Sequence, residues 1–299
     1  MSTIDATALP QGVSLAAGSG GLPCVSVTTP ACTAQVYLHG AHITSWVPDG
    51  QQPVLWCSSQ ATYSADSAIR GGVPLCAPWF GPGRTGGKEP AHGYFRLAEW
   101  ELTQADRDGD DVLLVFTLPT ERGGLPGIEH APADLQATYR VRLGAELGME
   151  LEIATPTQAL ELENALHAYL HVGDVRTVTL QGLDGARYAD KAPGGRAVNA
   201  QSGPVEFRRE TDRVYASTES VTVVDPTLAR KILVTKDGSH STIVWNPWER
   251  RAAEMSDFGD DEWTQMLCVE PGNALKGRVD LAPGERHTLR ATISVDSTQ

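Results

Sequence analysis

The chain has 299 residues, of which 24 are Lys or Arg and 37 are Asp or Glu, so its formal net charge at pH 7 is −13. Nucleic acids and anionic membranes bind basic surfaces, and this acidic composition makes neither an expected partner. The sequence before Arg70 contains no Lys or Arg, and no apolar run approaches the length of a transmembrane helix. We therefore expect no signal peptide, no transit peptide and no membrane span.

The five cysteines are scattered through apolar patterns without a regular spacing: Cys24, Cys32, Cys57, Cys76 and Cys268. An odd and irregular set favours buried free thiols in a reducing compartment, which predicts a cytoplasmic protein. Neither a CxxC pair nor an HExxH motif is present. A metal site therefore has no support in the sequence, and no cofactor is expected.

Residues 1–20 are small, polar and rich in Gly, which predicts a poorly ordered segment before a single β-sandwich domain at 21–299. Along that domain, short runs rich in Val, Thr, Leu and aromatic residues are separated by turn clusters such as Pro48-Asp49-Gly50. These runs predict strands at Gln35–Leu38, His42–Val47, Val54–Cys57, Trp100–Leu102, Val112–Leu118, Ala137–Leu143, Met149–Ala154, Thr177–Leu180, Ser220–Val224, Lys231–Thr235, Thr242–Trp245, Leu267–Glu270 and His287–Val295.

Helical periodicity is not sustained anywhere in the chain, and one or two helical turns are predicted at Arg250–Ser256. No internal repeat is visible, and no linker rich in Gly, Ser and Pro divides the chain into two halves. We therefore expect an all-β fold, a large antiparallel β-sandwich with few short helices.

Two loops interrupt the strand pattern. The segment Ile69–Gly83 is too rich in Gly and Pro for a strand, yet it contains Trp79 and Phe80, which indicates a packed loop beside a cleft. The segment Pro90–Arg96 follows, with His92 next to a Gly and two aromatic residues. Loops supported by a rigid sheet often carry binding groups, so both loops are candidates for the functional site.

Arg70 and Arg96 lie in these two loops. Each guanidinium can present a planar pair of donors to an anion, so the two arginines are candidates for a phosphate clamp. The alternative for each is an ion pair with one of the many acidic residues of the chain. Their proximity in sequence to His92 keeps the binding interpretation open.

Apolar and polar residues alternate in the segment Asn164–Asp174, where Leu166, Ala168, Leu170 and Val172 alternate with His167, Tyr169 and His171. This pattern predicts a half-buried strand with three polar rings on one face. Imidazole is the side chain best suited to proton transfer near neutral pH. The alternative is an ordinary solvated strand face, so a catalytic histidine requires a partner.

A possible partner is Glu270, at the end of the apolar run that begins at Gln265 and stops at Pro-Gly. A carboxylate at the rim of a buried strand is partly desolvated, which raises its proton affinity and suits it to general-base catalysis. The alternative is a structural ion pair with an arginine. Asp212 could accept hydrogen bonds from sugar hydroxyls or pair with Arg213 at the surface, and Trp245 is predicted to be a core residue.

Six segments together resemble the hexose-6-phosphate mutarotases, or glucose-6-phosphate 1-epimerases, of the aldose 1-epimerase family. They are RGGVPLCAPWFG from Arg70, AHGYFR from Ala91, LHAYLHV from Leu166, TDRVY from Thr211, WNPW from Trp245 and CVEPGN from Cys268. They occur in order across residues 35–275, and RGGxP with a late CxEPG is the most specific combination. The resemblance implies a large β-sandwich related to galactose mutarotase.

The resemblance also implies roles for individual residues. The acid histidine of the family falls on His167 and its base glutamate on Glu270. Positions that contact the sugar and its phosphate fall on Arg70, His92, Arg96 and Asp212. The chain departs from the family pattern at Ala91, where such proteins often have Gln.

The activity implied is exchange of the α and β anomers of a hexose 6-phosphate, most simply glucose 6-phosphate, by a monomeric enzyme without metal or cofactor. Glu270 would remove the proton of the anomeric hydroxyl while His167 protonates the ring oxygen, and the roles reverse when the ring closes. His92 would either share in polarising the ring oxygen or bind a neighbouring hydroxyl. His171 would either orient His167 or lie exposed.

Two other functions remain open. A mutarotase of unphosphorylated aldoses would not need Arg70 and Arg96 to converge on one anion. A non-catalytic sugar-binding or sugar-sensing module would not need His167 and Glu270 to reach the same hexose ring. A glycosidase is disfavoured because it normally requires two facing carboxylates, and the sequence offers Glu270 alone.

Overall fold

The computed structural model describes residues 9–196 and 198–298. Strands dominate this part of the chain, accompanied by one α-helix, α1 (Trp248–Ala253), and by single turns of 3₁₀ helix. In chain order the strands are β1 (Val13–Ala17), β2 (Pro23–Thr28), β3 (Cys32–Tyr37), β4 (His42–Pro48), β5 (Leu75–Cys76), β6 (Glu101–Asp108), β7 (Asp111–Thr117), β8 (Gln136–Leu143), β9 (Leu147–Thr155), β10 (Leu160–Leu162), β11 (Asn164–Leu166), β12 (Tyr169–His171), β13 (Thr179–Gln181), β14 (Arg187–Asp190), β15 (Asn199–Ala200), β16 (Val205–Glu206), β17 (Thr211–Ala216), β18 (Val221–Asp225), β19 (Arg230–Asp237), β20 (Ser241–Asn246), β21 (Met266–Asn273), β22 (Val279–Leu281) and β23 (Glu285–Ser297).

Antiparallel pairing joins most of these strands into three sheets. The first has the order β1-β2-β3-β4, and the second has nine strands in the order β16-β13-β18-β19-β23-β9-β8-β7-β6. The third has eight strands in the order β15-β14-β17-β20-β21-β11-β5, with β12 also paired to β21. One apolar cluster contains residues of all three sheets, including Val36 of β3, Leu151 of β9 and Leu170 of β12. The expected all-β, antiparallel fold with few short helices is confirmed.

Strict alternation in the sequence explains how the long strands pack. In β9 every second residue is buried, from Leu147 through Met149 and Leu151 to Ile153, while the residues between them are partly exposed. Because successive side chains of a strand point to opposite faces, one face of β9 faces the core. Burial of each such side chain contributes about 1.5–3 kcal/mol to folding.

Most of the predicted strands are present with ends shifted by one to three residues, and the predicted helical turns at Arg250–Ser256 correspond to α1. The segment Val54–Cys57 was wrongly predicted as a continuous strand. It contributes isolated bridges, from Leu55 to Leu170 and from Cys57 to Gly71. Pairing there alternates between two neighbours, so no regular ladder forms.

The prediction of one half-buried strand within Asn164–Asp174 is partly wrong. The segment is split into β11 and β12, with His167 and Ala168 between them, and it is buried on both faces up to Leu170. Its outer edge is covered, because the backbone amide of His167 donates to the carbonyl of Pro74 and that of Tyr169 to the carbonyl of Gly72. The alternation itself holds, since the apolar residues lie in the main core.

At the N-terminus, residues 13–17, which fall within the segment expected to be poorly ordered, form β1 and pair with β2. The part of that expectation that concerns residues 1–8 lies outside the described residues. None of the helices among the described residues is long and apolar enough to cross a membrane.

Candidate active site

Four strands of the eight-stranded sheet place a row of polar and aromatic side chains on one face. Tyr169 of β12 is opposite Cys268 of β21, Cys268 is opposite Trp245 of β20, and Trp245 is opposite Asp212 of β17. Residues directly opposite each other in antiparallel strands share a face. Glu270 lies two residues after Cys268 on β21, so it also lies on this face. These strands come from distant parts of the sequence, and the sheet order brings them together.

His167 and Glu270 form the centre of the site. The Nε2 atom of His167 lies 3.3 Å from Oε1 of Glu270. Glu270 is fully buried and His167 is 8% exposed. The two groups are within ion-pair distance, but the pair lacks the alignment of a hydrogen bond. Among the described residues, Nδ1 of His167 and both carboxylate oxygens of Glu270 have no hydrogen-bond partner. Buried polar atoms without partners are rare, which makes these atoms candidates for contact with a ligand.

Burial disfavours the charged form of both groups. Burial, together with the nearby positive charges of Arg96 and Arg70, lowers the pKa of His167 to about 3. Burial raises the pKa of Glu270 well above its ordinary value, Asp212 adds to the increase, and Lys191 opposes it. Both shifts favour the neutral imidazole together with the protonated carboxyl group, so the pair holds one proton.

Arg70 is placed next to this pair but is already engaged. Its guanidinium forms an ion pair with Asp257 at 3.0 Å, and its Nη1 donates to the hydroxyl of Tyr169 at 2.9 Å. The ring of Tyr169 stacks on that of His167, with centroids 4.8 Å apart and an interplanar angle of 17°. The ion-pair alternative considered for Arg70 is therefore present, and Arg70 also holds the ring that packs against His167.

Arg96 lies in a single 3₁₀ turn, Phe95–Leu97. One of its terminal nitrogens donates to the carbonyl of Ala91 at 2.7 Å. Its buried Nε has no hydrogen-bond partner within the described part of the chain. This side chain therefore retains a donor for an anion.

His92 contacts the site from its loop. Its Nδ1 accepts a hydrogen bond from the amide of Gly81 at 3.3 Å, and its ring centroid is 5.9 Å from that of His167. Burial lowers the pKa of His92 well below its ordinary value, so the ring is neutral. Because Nδ1 accepts, the proton lies on Nε2, and His92 is a hydrogen-bond donor at that atom.

Asp212 is paired with a residue that sequence reasoning missed. The Nζ of Lys191 lies 3.7 Å from Oδ1 of Asp212 and 5.4 Å from the centroid of the Phe80 ring. Burial raises the pKa of Asp212, and Lys191 opposes that effect. The expected surface pair of Asp212 with Arg213 does not describe the site, since Arg213 faces Asp190 at 3.6 Å. The one sequence signal for Lys191 is its place before the turn residues Ala-Pro-Gly-Gly.

Trp245 and His171 are the two other residues considered in the sequence, and the position of each differs from the expected one. Trp245, expected in the core, is half-buried, and its ring centroid lies 6.3 Å from that of His167 and 6.0 Å from that of Tyr169. His171 is directed elsewhere, with Nδ1 at 3.3 Å from the carbonyl of Pro53. The geometry thus gathers His167, Glu270 and their neighbours but assigns His171 to the packing of a loop.

Comparison with known proteins is consistent with this geometry. Residues 23–294 match a protein family described as "Aldose 1-epimerase". A protein of Cenchrus ciliaris is 32% identical over 274 residues, which are 88% of this chain and 81% of the relative. A protein of Salmonella typhimurium is 34% identical over 250 residues, 83% of this chain and 82% of the relative. Both bear the name "Putative glucose-6-phosphate 1-epimerase".

Solved structures show the same fold. A crystal structure of a "putative mutarotase" from Salmonella typhimurium superposes with a TM-score of 0.88 and 30% identity, and covers 99% of this chain and 97% of that one. A galactose mutarotase-like protein from Clostridium acetobutylicum has a TM-score of 0.71 at 11% identity, with 96% and 98% of the two chains covered. The second likeness concerns the fold alone, and it confirms the expected galactose mutarotase-like architecture.

Proposed function

Because the chain belongs to the aldose 1-epimerase family, we propose that it interconverts the α and β anomers of a hexose 6-phosphate, with glucose 6-phosphate as the first substrate to test. The observation that carries this proposal is the contact between the buried side chains of His167 and Glu270, which lie 3.3 Å apart. Anomer exchange requires one proton donor and one proton acceptor that reach the same sugar ring. A pair this close meets that requirement, which a non-catalytic sugar-binding module would not need.

In the proposed mechanism Glu270 accepts the proton of the anomeric hydroxyl while protonated His167 donates to the ring oxygen. The bond between C1 and the ring oxygen breaks, and an open-chain aldehyde results. Rotation about C1–C2 presents the other face of the carbonyl. Return of both protons closes the ring as the other anomer, and the enzyme is unchanged.

A single proton held by the pair is sufficient for this cycle. Before substrate binds, burial favours that proton on Glu270, which is the protonation state of the open-chain intermediate. A bound sugar donates hydroxyl hydrogen bonds to the unpartnered carboxylate oxygens, which stabilises the ionised form and lowers the pKa of Glu270. Binding of substrate therefore favours transfer of the proton to His167, and the starting state for ring opening forms.

The remaining groups are proposed to bind the sugar phosphate. Arg96 offers a donor to the phosphate, and Arg70 and Lys191 add positive charge near the pair. His92 donates through Nε2 to a hydroxyl or to the ring oxygen, and Asp212 accepts a hydrogen bond from a hydroxyl. Charge-assisted hydrogen bonds of this kind are worth about 1.5–3 kcal/mol each.

A mutarotase of unphosphorylated aldoses is the second candidate, and one observation favours it. Asp257 neutralises the charge of Arg70 and, with Tyr169, accepts hydrogen bonds from three of its five N–H groups, so Arg70 is less available to an anion than Arg96. The experiment that decides is anomer exchange followed by NMR with glucose 6-phosphate and with glucose. Higher kcat/KM for the phosphorylated sugar supports the first candidate, and higher kcat/KM for free glucose supports the second.

The proposal extends to location and assembly. A reducing cytoplasmic environment is supported by the five cysteines, which are all free. We expect a monomer, since the acid–base pair and its neighbours all come from one chain. Sedimentation analysis that shows a stable dimer would contradict that expectation.

A further inference from the structure

Three side chains of the site form a cluster of metal-binding groups. One imidazole nitrogen of His167, the thiol sulfur of Cys268 and a carboxylate oxygen of Glu270 all lie within 4.8 Å of one another, and all three residues are buried. We propose that this cluster binds a thiophilic divalent cation, for which Zn²⁺ is the natural probe, and that occupancy switches the enzyme off. The binding part concerns the residues alone, whereas the inhibition part rests on the proposed function.

The sheet register places Cys268 in the cluster. Cys268 is opposite both Tyr169 and Trp245 and lies two residues before Glu270 on β21, so its side chain shares the face of the site. The residue is fully buried in the middle of a central strand. A thiol in this position is held beside the acid–base pair by the backbone, and no loop movement is needed to bring it there.

A second observation points to a ligand at this position. Both carboxylate oxygens of Glu270 are buried and have no hydrogen-bond partner among residues 9–196 and 198–298, and Nε2 of His167 lies 3.3 Å from one of them. Such atoms carry a desolvation cost that a coordinated cation removes. Substrate hydroxyls would donate hydrogen bonds to the same carboxylate oxygens, so the cation and the sugar compete for them.

The spacing is close to what zinc requires. Tetrahedral bonds of about 2.0–2.3 Å place ligand atoms about 3.3–3.8 Å apart. The distance of 3.3 Å between His167 and Glu270 meets this directly. Cys268 must approach by no more than about 1 Å, which a small rotation of its side chain can provide.

The donor set determines which cation fits. Nitrogen, sulfur and oxygen in one site favour Zn²⁺ or Cd²⁺ over Mg²⁺ and Ca²⁺, which prefer oxygen ligands alone. Cys268 binds as the thiolate and Glu270 as the carboxylate, so coordination releases one proton from each residue to solvent. The fourth coordination position would face the cleft, on the side where His167 is exposed. Coordination occupies the atoms that would exchange protons with the sugar, so anomer exchange stops until the cation is removed.

The direct test uses Cd²⁺ in the absence of substrate, with the ultraviolet charge-transfer absorption of a cadmium thiolate as the readout. We expect one Cd²⁺ per chain with this band in the wild type. The band should disappear in Cys268→Ser and remain in the matched control Cys57→Ser, whose thiol donates to the carbonyl of Thr44. A band that persists in Cys268→Ser, or that is missing in the wild type, would overturn the proposed site.

The inhibition is tested by exchange rates at increasing Zn²⁺. The Zn²⁺ concentration for half-inhibition should rise tenfold or more in Cys268→Ser. Removal of a metal ligand weakens metal binding at least as much as removal of a residue that is hydrogen-bonded to a ligand. The control Cys57→Ser should be inhibited like the wild type. Equal inhibition of Cys268→Ser and the wild type would reject the mechanism of inhibition. A Cys268-dependent cadmium band in a protein that exchanges neither sugar would support the metal site and refute the proposed function.

Discussion

Replacement of Arg96 by Ala tests whether the positive side of the cleft selects a phosphorylated sugar. Arg96 uses one terminal nitrogen to hold the carbonyl of Ala91, and its Nε is buried without a partner in the described chain. A phosphate dianion next to this side chain would accept a charge-assisted hydrogen bond. The corresponding donor on Arg70 is occupied by Asp257, so Arg96 is the more informative position.

The expected magnitude follows from one such bond. A charge-assisted hydrogen bond is worth about 1.5–3 kcal/mol, which corresponds to a loss of about 10- to 150-fold. We expect kcat/KM for glucose 6-phosphate to fall by this factor in Arg96→Ala, with most of the change in KM. The value for free glucose should change little, because that sugar has no group to receive the bond.

Initial rates of anomer exchange for both sugars provide the assay. Arg84→Ala is a matched control, because Arg84 is an exposed arginine whose partner is Glu161 at 3.1 Å. This control should behave like the wild type with both sugars. Equal losses for the two sugars in Arg96→Ala would show that Arg96 supports the loop rather than the phosphate, and the argument for selectivity would fail.

Three further predictions concern pH, metal and stability. The rate of anomer exchange should have a bell-shaped pH profile. Burial lowers the pKa of His167 to about 3 and raises that of Glu270, so the active form of the pair holds one shared proton. That form gains a second proton at low pH and loses its proton at high pH. A loss of activity on the acid side with a midpoint near the ordinary pKa of histidine would contradict the lowered pKa of His167. EDTA should leave exchange unchanged or increase it, and loss of activity that Zn²⁺ restores would refute a metal-free mechanism. Leu151→Ala, at a fully buried position of β9, should lower the free energy of unfolding by about 2–5 kcal/mol in urea titrations, and a change below about 0.5 kcal/mol would contradict the placement of the core.

Local patterns in the sequence were sufficient to predict most strands. Alternation such as that of β9 specifies both the strand and its buried face, because the side-chain period of a strand is two. Val54–Cys57 has the composition of a strand but pairs with different neighbours at Leu55 and Cys57. Composition indicates which segments can extend, whereas tertiary contacts decide which of them form a continuous ladder.

The site was predicted less completely, for a physical reason. His167 and Glu270 stand out through residue type and motif, and each was a candidate before their contact was known. The partner of Arg70 is Asp257, 187 residues away in sequence, and no local pattern connects the two. Cys268 and Lys191 acquire their significance from sheet register and from the path of a loop. Such long-range contacts depend on the order of strands in the sheet, which single-sequence periodicity does not contain.

The most direct test of the central claim is anomer exchange of glucose 6-phosphate, measured by NMR, in Glu270→Gln. This change keeps the shape of the side chain but removes the proton acceptor, so turnover should fall on the order of 10²- to 10⁴-fold. Glu161→Gln, at an exposed position, is the matched control and should retain the wild-type rate. Exchange near the wild-type rate in Glu270→Gln would contradict the assignment of Glu270 and His167 as the acid–base pair.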